Sequence, residues 1–479
     1  MNRMDSHKIP TILLAISLLM SAKARAETKS NASTYVSVKK DIVESKKNDI
    51  NIEDKFEKKY TKSSGVKIIT TDMGVKIFYM KDTVSPIVRM SINFRNSGSA
   101  HQEKGKIGVP KLYSSTTFCG CGPYTQAQFE QKASNISSSM SCDSSMDSIS
   151  FSLTVPSAVL DDAVSLFQLA ITQPKFEKEK FLLIQNSLIG AVQSYASNPV
   201  AIAKEVFLTS MIFKSHPYEN GSIGASEDIA KLSIDDLLKY KDQFLTIKNA
   251  EACVFGDISE EKAKSVVDQL IKGLKKGETT SVNIAEVDPD ISDVIKYYYA
   301  EGTQSTIVFA MKSKRIKSPD RYAAKVLFHI FGGRGLFRGR IMDVLRSKLG
   351  LIYSGGATNV DYKHSGHLLG ILCTDNSKVK QAISEIRNII KDMKENGITQ
   401  EELDFAKKNI SGSFLVGLRT TGDMLSFFSF AMMRDLGANA INDTLNGIHN
   451  VSLSDVKRVA KDLMDENKIT IVVIGGNEK

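Results

Sequence analysis

The sequence predicts an α+β protein of two homologous domains, each a mainly antiparallel sheet covered by helices on one side. Three observations predict it. Segments with a two-residue apolar period come in groups, and so do segments with a 3.6-residue period. The order strands, helices, strand then occurs twice. Val254-Phe-Gly-Asp-Ile closes the first copy much as Val472-Val-Ile-Gly-Gly closes the second. A doubly wound parallel sheet would need stricter alternation of strand and helix.

The elements follow in order. Val66 to Ile69 and Val75 to Tyr79 flank Asp72-Met73-Gly74, which reads as two strands and a tight turn. Val88, Met90, Ile92 and Phe94 alternate with Arg89, Ser91 and Asn93 in a clear strand. Ser148 to Val155 is another. After Pro156, Val159, Ala163, Leu166, Phe167 and Ala170 lie along one helical stripe. A longer helix runs from Lys178 to Ala196 and stops at Asn198-Pro199. Ser233 caps a helix within Ser226 to Phe244. Ala250 to Phe255 is a buried strand, and a helix from Ser259 to Leu274 closes the unit.

The second copy repeats the pattern. Thr306 to Met311 is a strand, Pro319 to Phe331 a helix, and Phe337 to Leu349 a helix after a glycine-rich stretch. His367 to Cys373 is a strand. Lys378 to Asn396, Gln400 to Leu418 and Ser452 to Glu466 are helices, and Ile469 to Ile474 is the last strand. The predicted divisions are a signal peptide over 1–26, a flexible solvated extension over 27–60, and a first folded domain over 61–274. A linker over 275–292 and a second domain over 293–479 complete the chain.

Composition narrows the function classes. The 479 residues are 42% hydrophobic and 24% charged, which excludes wholesale disorder. Basic residues number 63 against 54 acidic, and the net +9 is spread along the chain without a basic arm or stripe. Nucleic acid is therefore not an expected partner. Arg3 and Lys8, the apolar run Pro10 to Met20, and Ala24-Arg25-Ala26 form an export signal. That run is far short of the roughly 20 residues that span a bilayer. The expectation is export to a bacterial periplasm with no stable membrane span after cleavage. The five cysteines (119, 121, 142, 253 and 373) are too few for a disulfide scaffold. Cys119 and Cys121 read as a local disulfide to Cys142 or as plain buried thiols.

Several motifs carry little. Gly332 to Gly339 has G-x-G-x-x-x-G spacing after a helix, not the dinucleotide fingerprint after a strand, so it reads as an inter-helix loop. His364 and His367 read as a surface pair, and His216 before Pro217 as a satisfied turn histidine. Ser137 to Met140 reads equally as an edge strand that accepts an extended peptide or as a polar edge that resists aggregation.

The ordered set of Gly98-Ser99, Glu103, Gly105, Gly108, Phe176-Glu177, His216-Pro-Tyr218, Gly224, Leu232-Ser-Ile-Asp-Asp-Leu237 and Val254-Phe-Gly-Asp257 is informative. With Leu345-Arg346, Gly350-Leu351 and Tyr353-Ser354, it resembles the pitrilysin/insulinase family of zinc metallopeptidases. That family includes mitochondrial processing peptidase and its core-protein relatives. The resemblance covers about residues 65 to 476. Active relatives carry H-x-x-E-H on a helix, two histidines gripping zinc and a glutamate activating its water. Aligned on Gly108, those positions are Lys111, Ser114 and Ser115. A protonated lysine has no lone pair to offer, and serine is neither a good zinc ligand nor a base at neutral pH. The further glutamate ligand comes from the long helix, yet no Asp or Glu lies between Lys180 and Lys204.

The resemblance thus implies a pseudopeptidase with no catalytic residues, no metal and no cofactor of its own. It implies a zinc-bearing paralogous partner, with short or unfolded peptides enclosed between the subunits. Arg346 and Tyr353 match an Arg and Tyr that hold a peptide carbonyl or the developing oxyanion at the partner's zinc. The alternative is a structural or peptide-binding module with no link to proteolysis.

Overall fold

The computed structural model describes residues 65–194, 198–201, 203, 208–277, 284–333 and 339–476. All of them belong to one compact unit, Ser63–Lys479. The predicted signal peptide and extension, and the middle of the Gly332–Gly339 stretch, lie outside the described residues.

In the first half the strands are β1 (Lys67–Thr70), β2 (Lys76–Lys81), β3 (Ile87–Arg95), β4 (Ser139–Ser144), β5 (Ser148–Pro156) and β6 (Ala250–Gly256). Its main helices are α1 (Val109–Thr116), α2 (Gln126–Asn135), α3 (Leu160–Thr172), α4 (Lys178–Ser194), α5 (Ile234–Phe244) and α6 (Glu260–Ile271). The second half supplies β7 (Val294–Tyr299), β8 (Gln304–Lys312), β9 (Ile352–Asp361), β10 (Gly366–Asp375) and β11 (Thr470–Gly475). Its helices are α7 (Arg321–Gly332), α8 (Val379–Glu395), α9 (Gln400–Val416), α10 (Thr421–Met433), α11 (Ala440–His449) and α12 (Leu453–Leu463).

The strand orders are β1-β2-β6-β3-β5-β4 and β7-β11-β8-β10-β9. Without β1, the two sheets have the same order, and each contains one parallel pair, β2 with β6 and β7 with β11. The remaining pairs are antiparallel. The repeat read from the sequence is therefore a repeat of topology.

Side-chain alternation decides what each face meets. Met90, Ile92 and Phe94 lie opposite Leu153, Phe151 and Ile149, and this face packs under α3 and α6. Ser91 and Asn93 point the other way, yet they are 2% and 0% exposed. The second half's α10 lies across that face: Phe78, Cys253 and Phe255 pack on Leu425, Phe428 and Met432. Ser91 Oγ and Ser429 Oγ are 2.7 Å apart. The relationship is reciprocal. First-half residues Leu208, Ile212, Phe213 and Tyr218 pack on Val308, Leu369, Val472 and Ile474 of the second sheet. Each sheet is thus covered by its own helices on one face and by the other half on the opposite face.

Two glycines make the junction near α1 possible. A Cβ on Gly98 would sit 2.3 Å from the Met146 backbone, and one on Gly108 would sit 2.8 Å from Ile229 Cγ1. Close approach lets Ser99 and Ala100 donate to the Ser145 and Met146 carbonyls at 3.1 and 3.0 Å. The exit of β3 is thereby tied to the β4–β5 turn.

Candidate functional site

Helix α1 begins at Gly108 with Pro110 in its first turn, where the missing N–H is not needed. Lys111 is half-buried, Ser114 is buried and Ser115 is exposed. Ser114 Oγ donates to Lys111 O at 2.9 Å and to Ser144 Oγ at 3.4 Å. The helix face turned to β4 is therefore closed by hydroxyls and a lysine. Burial pushes the Cys142 thiol up, with Asp143 adding to the shift and Lys111 opposing it. The packing helix α4 buries Phe181, Gln185 and Leu188. Gln185 Nε2 donates to the Ile229 and Leu232 carbonyls at 2.8 and 2.9 Å, so its carboxamide is committed to holding the loop before α5.

A cavity of about 770 Å³ opens between the two halves. One wall is the end of β4 and the β4–β5 turn, Ser144 to Asp147. The other is the edge strand β9 from Ser354 to Val360, with β10 behind it. Ser144 joins this cavity to α1 through Ser114. β4 is itself the edge of the first sheet, as the sequence suggests for Ser137 to Met140.

Arg346 lies on a π-helical turn, Met342–Lys348, where the sequence predicts an ordinary helix. Its carbonyl accepts from Gly350 N at 3.2 Å, and Gly350 turns the chain with φ +58°. Tyr353 follows at the start of β9 and is 53% exposed. Neither side chain lines the cavity, but Ser354, the next residue, does. The structure thus brings Ser114, through Ser144, to one end of the cavity wall and Tyr353 to the margin of the other, while Lys111 and Ser115 do not line it.

Two family descriptions match the chain: "Insulinase (Peptidase family M16)" over residues 77–226 and "Peptidase M16 inactive domain" over residues 231–410. The chain belongs to the M16 peptidase family. Among M16 relatives, a non-peptidase homolog YmxG of Helicobacter pylori is 23% identical over 85% of this chain and 93% of its own length. An uncharacterized zinc protease of Rickettsia bellii is 22% identical over 79% of this chain and 90% of its own. A solved M16 inactive domain from Pseudomonas fluorescens superposes with a TM-score of 0.80 at 21% identity, covering 86% of this chain and 98% of that one. A chain of complex III2 from Candida albicans superposes at 0.72 with 15% identity, covering 86% and 96%.

The zinc that the M16 family implies does not fit this donor set. Lys111, Ser114 and Ser115 offer no thiolate, imidazole or carboxylate, and α4 contributes Gln185 already spent on carbonyls. Among the described residues no group of three or more His, Cys, Asp or Glu is placed to hold a metal ion.

Sequence reasoning missed the polar junction beside the cavity. Tyr218, fully buried, donates from its hydroxyl to Asp147 Oδ1 at 2.7 Å and accepts from His364 N at 3.2 Å. His216 is a satisfied turn histidine: Nδ1 accepts from Tyr218 N, and Nε2 lies 3.1 Å from Ala285 O. The His364/His367 pair is not on the surface. His367 is 4% exposed and stacks on Phe213 and Tyr362, because the β9–β10 turn is pressed against the first half. Burial lowers the pKa of His364. His101 joins them, pushed down to about 4 by burial. The five cysteines are free thiols, with Cys119, Cys121 and Cys253 buried.

Proposed function

We propose that this chain is a zinc-free subunit of a heteromeric M16-type peptidase that helps to bind and enclose short or unfolded peptides. The supporting observation is the cavity between the halves, which touches the degenerate helix through Ser144 and the Tyr353 strand through Ser354. In this reading the zinc and its water belong to a paralogous partner. Arg346 and Tyr353 add a fixed cation and a phenolic donor where charge grows on the attacked carbonyl. Their exposure suits a role outside their own cavity. The expected compartment is the periplasm, reached through the signal read over residues 1–26.

The test is peptide turnover by a mixture of this chain and a zinc-bearing relative encoded alongside it. Loss of one oxyanion donor lowers turnover by roughly 10² to 10³ in well-studied hydrolases. Arg346→Ala and Tyr353→Phe in this chain are expected to lower the mixture's rate toward that range. Unchanged turnover overturns their role.

The superposition on a chain of complex III2 favours a second reading, a structural module without proteolysis. Stable association with a non-peptidase, and no rate change on adding the chain to any zinc-bearing relative, distinguishes it.

A further inference from the structure

We infer that Arg434 is a carboxylate-binding residue in the cavity between the halves, taking the free C-terminus or an acidic side chain of a bound peptide. This rests on the peptide-binding reading above and adds the chemistry the peptide must present.

Arg434 follows α10 and reaches the cavity from the second half. Its Nε and Nη2 both donate to the carbonyl of Asp361, the last residue of β9, at 3.1 and 3.0 Å. Its guanidinium carbon sits 3.8 Å from the centroid of the Phe430 ring. Those contacts fix the plane of the fork. Nη1 has no acceptor among the described residues. Burial disfavours the cation, and Asp147 and Asp361 favour it through space. Neither carboxylate forms an ion pair with it among the described residues. Asp147 is already engaged by the Tyr218 hydroxyl and, at 3.4 Å, by Lys363 N.

Asp147 also lines the cavity; apart from it and Arg434 the described lining is uncharged, with hydroxyls from Ser144, Ser354 and Thr358 and an apolar floor at Ile371. The volume lies in the range of small-ligand sites, roughly 300 to 1,000 Å³. Ser354 to Val360 runs about 20 Å at a strand's rise, the reach of about six extended residues, and Arg434 stands at its Asp361 end. A desolvated, pre-oriented guanidinium with open donors is the group that binds a carboxylate through paired N–H···O bonds.

The experiment uses the full chain and fluorescence anisotropy with three labelled hexapeptides of otherwise neutral residues. One has a free C-terminus, one is the C-terminal amide, and one is the amide with a single internal glutamate. The acid is expected to bind at least about tenfold tighter than the plain amide. Recovery of that affinity by the glutamate peptide assigns the side-chain carboxylate; no recovery assigns the C-terminus. Arg434→Gln is expected to lower the acid to the level of the amide and leave the amide unchanged. If circular dichroism shows that variant misfolded, the wild-type comparison decides alone. Equal binding of all three peptides overturns the Arg434 assignment and leaves peptide binding standing. Binding of none overturns the peptide reading, and this inference with it.

Discussion

The Tyr218 hydroxyl donates to Asp147 Oδ1 at 2.7 Å while accepting from His364 N of the second half at 3.2 Å. One buried phenol therefore satisfies a first-half carboxylate and a second-half backbone amide. Burial and the Asp147 charge both hold its pKa well above the ordinary tyrosine range, so it stays a donor at any physiological pH. This explains chemically why His216-Pro-Tyr218 stands out in the sequence. The turn places a hydroxyl at the junction.

Tyr218→Phe keeps the ring packing against Phe213 and Tyr362 but leaves Asp147 one donor short in a buried site. Hydrogen bonds to charged groups contribute about 1.5–3 kcal/mol, so a destabilisation of about 2 kcal/mol is expected by urea denaturation. A change below about 0.5 kcal/mol, the scatter of ordinary surface substitutions, contradicts this.

Acidification should weaken the same junction. His101 is 5% exposed and neither ring nitrogen has a partner among the described residues. Burial sets its pKa at about 4; Lys363 and His364 push the same way, and Asp147 opposes. The folded value lies below the unfolded one, about 6.5, so the unfolded chain binds more protons between those limits. Stability is complete above pH 6.5 and is lost as pH falls toward 4. From pH 7 to pH 5 the loss from His101 alone is about 2 kcal/mol. His101→Leu is expected to flatten, not abolish, this dependence, because His364 titrates in the same direction. An unaltered pH profile in that variant contradicts the assignment.

The repeat is legible because Met90, Ile92 and Phe94 on β3 alternate with polar residues, and because β8 is a short apolar run, Ile307 to Met311, bounded by polar residues. Helix α10 is not. Its sequence, Thr421 to Met433, is apolar on most sides because it fills the space between a foreign sheet and its own half, so no amphipathic stripe marks it. β9 carries no such signal, since Gly355, Gly356, Thr358 and Asn359 line a cavity and show no apolar period. The site divides the same way. That positions 111, 114 and 115 hold no His, Asp or Glu is a statement about residue types and needs no coordinates. Arg434 and Asp147 are linked only by folding across 287 positions, and nothing local predicts them.

The cross-packing of the halves predicts a large effect at Phe428. Its ring is fully buried and stands edge-on to Phe78 at 6.0 Å and Phe255 at 5.7 Å. Phe428→Ala is expected to destabilise the protein by about 3–5 kcal/mol. Hydrogen exchange should rise in β3 and β6, which lie beneath α10. Faster exchange confined to α10 itself would mean that the helix is not what shields the first sheet.

Placing an H-x-x-E-H motif on α1 tests the proposal that Lys111, Ser114 and Ser115 stand at degenerate zinc-motif positions. Lys111→His, Ser114→Glu and Ser115→His together place two imidazoles one turn apart on α1. Those supply two protein ligands, whereas catalytic zinc sites use three. In active relatives the third comes from the helix that α4 resembles, and the buried polar side chain of α4 is Gln185, tied to the Ile229 and Leu232 carbonyls. The triple variant should therefore hold less than one zinc per chain after dialysis and show no chelator-sensitive peptide cleavage. Adding an acid by Gln185→Glu should not rescue it, because the new carboxylate meets two carbonyl oxygens that already need its donor. Stoichiometric zinc in the triple variant would show that α1 and its surroundings carry a metal-ready geometry, and that only the residue types at these three positions stand against zinc.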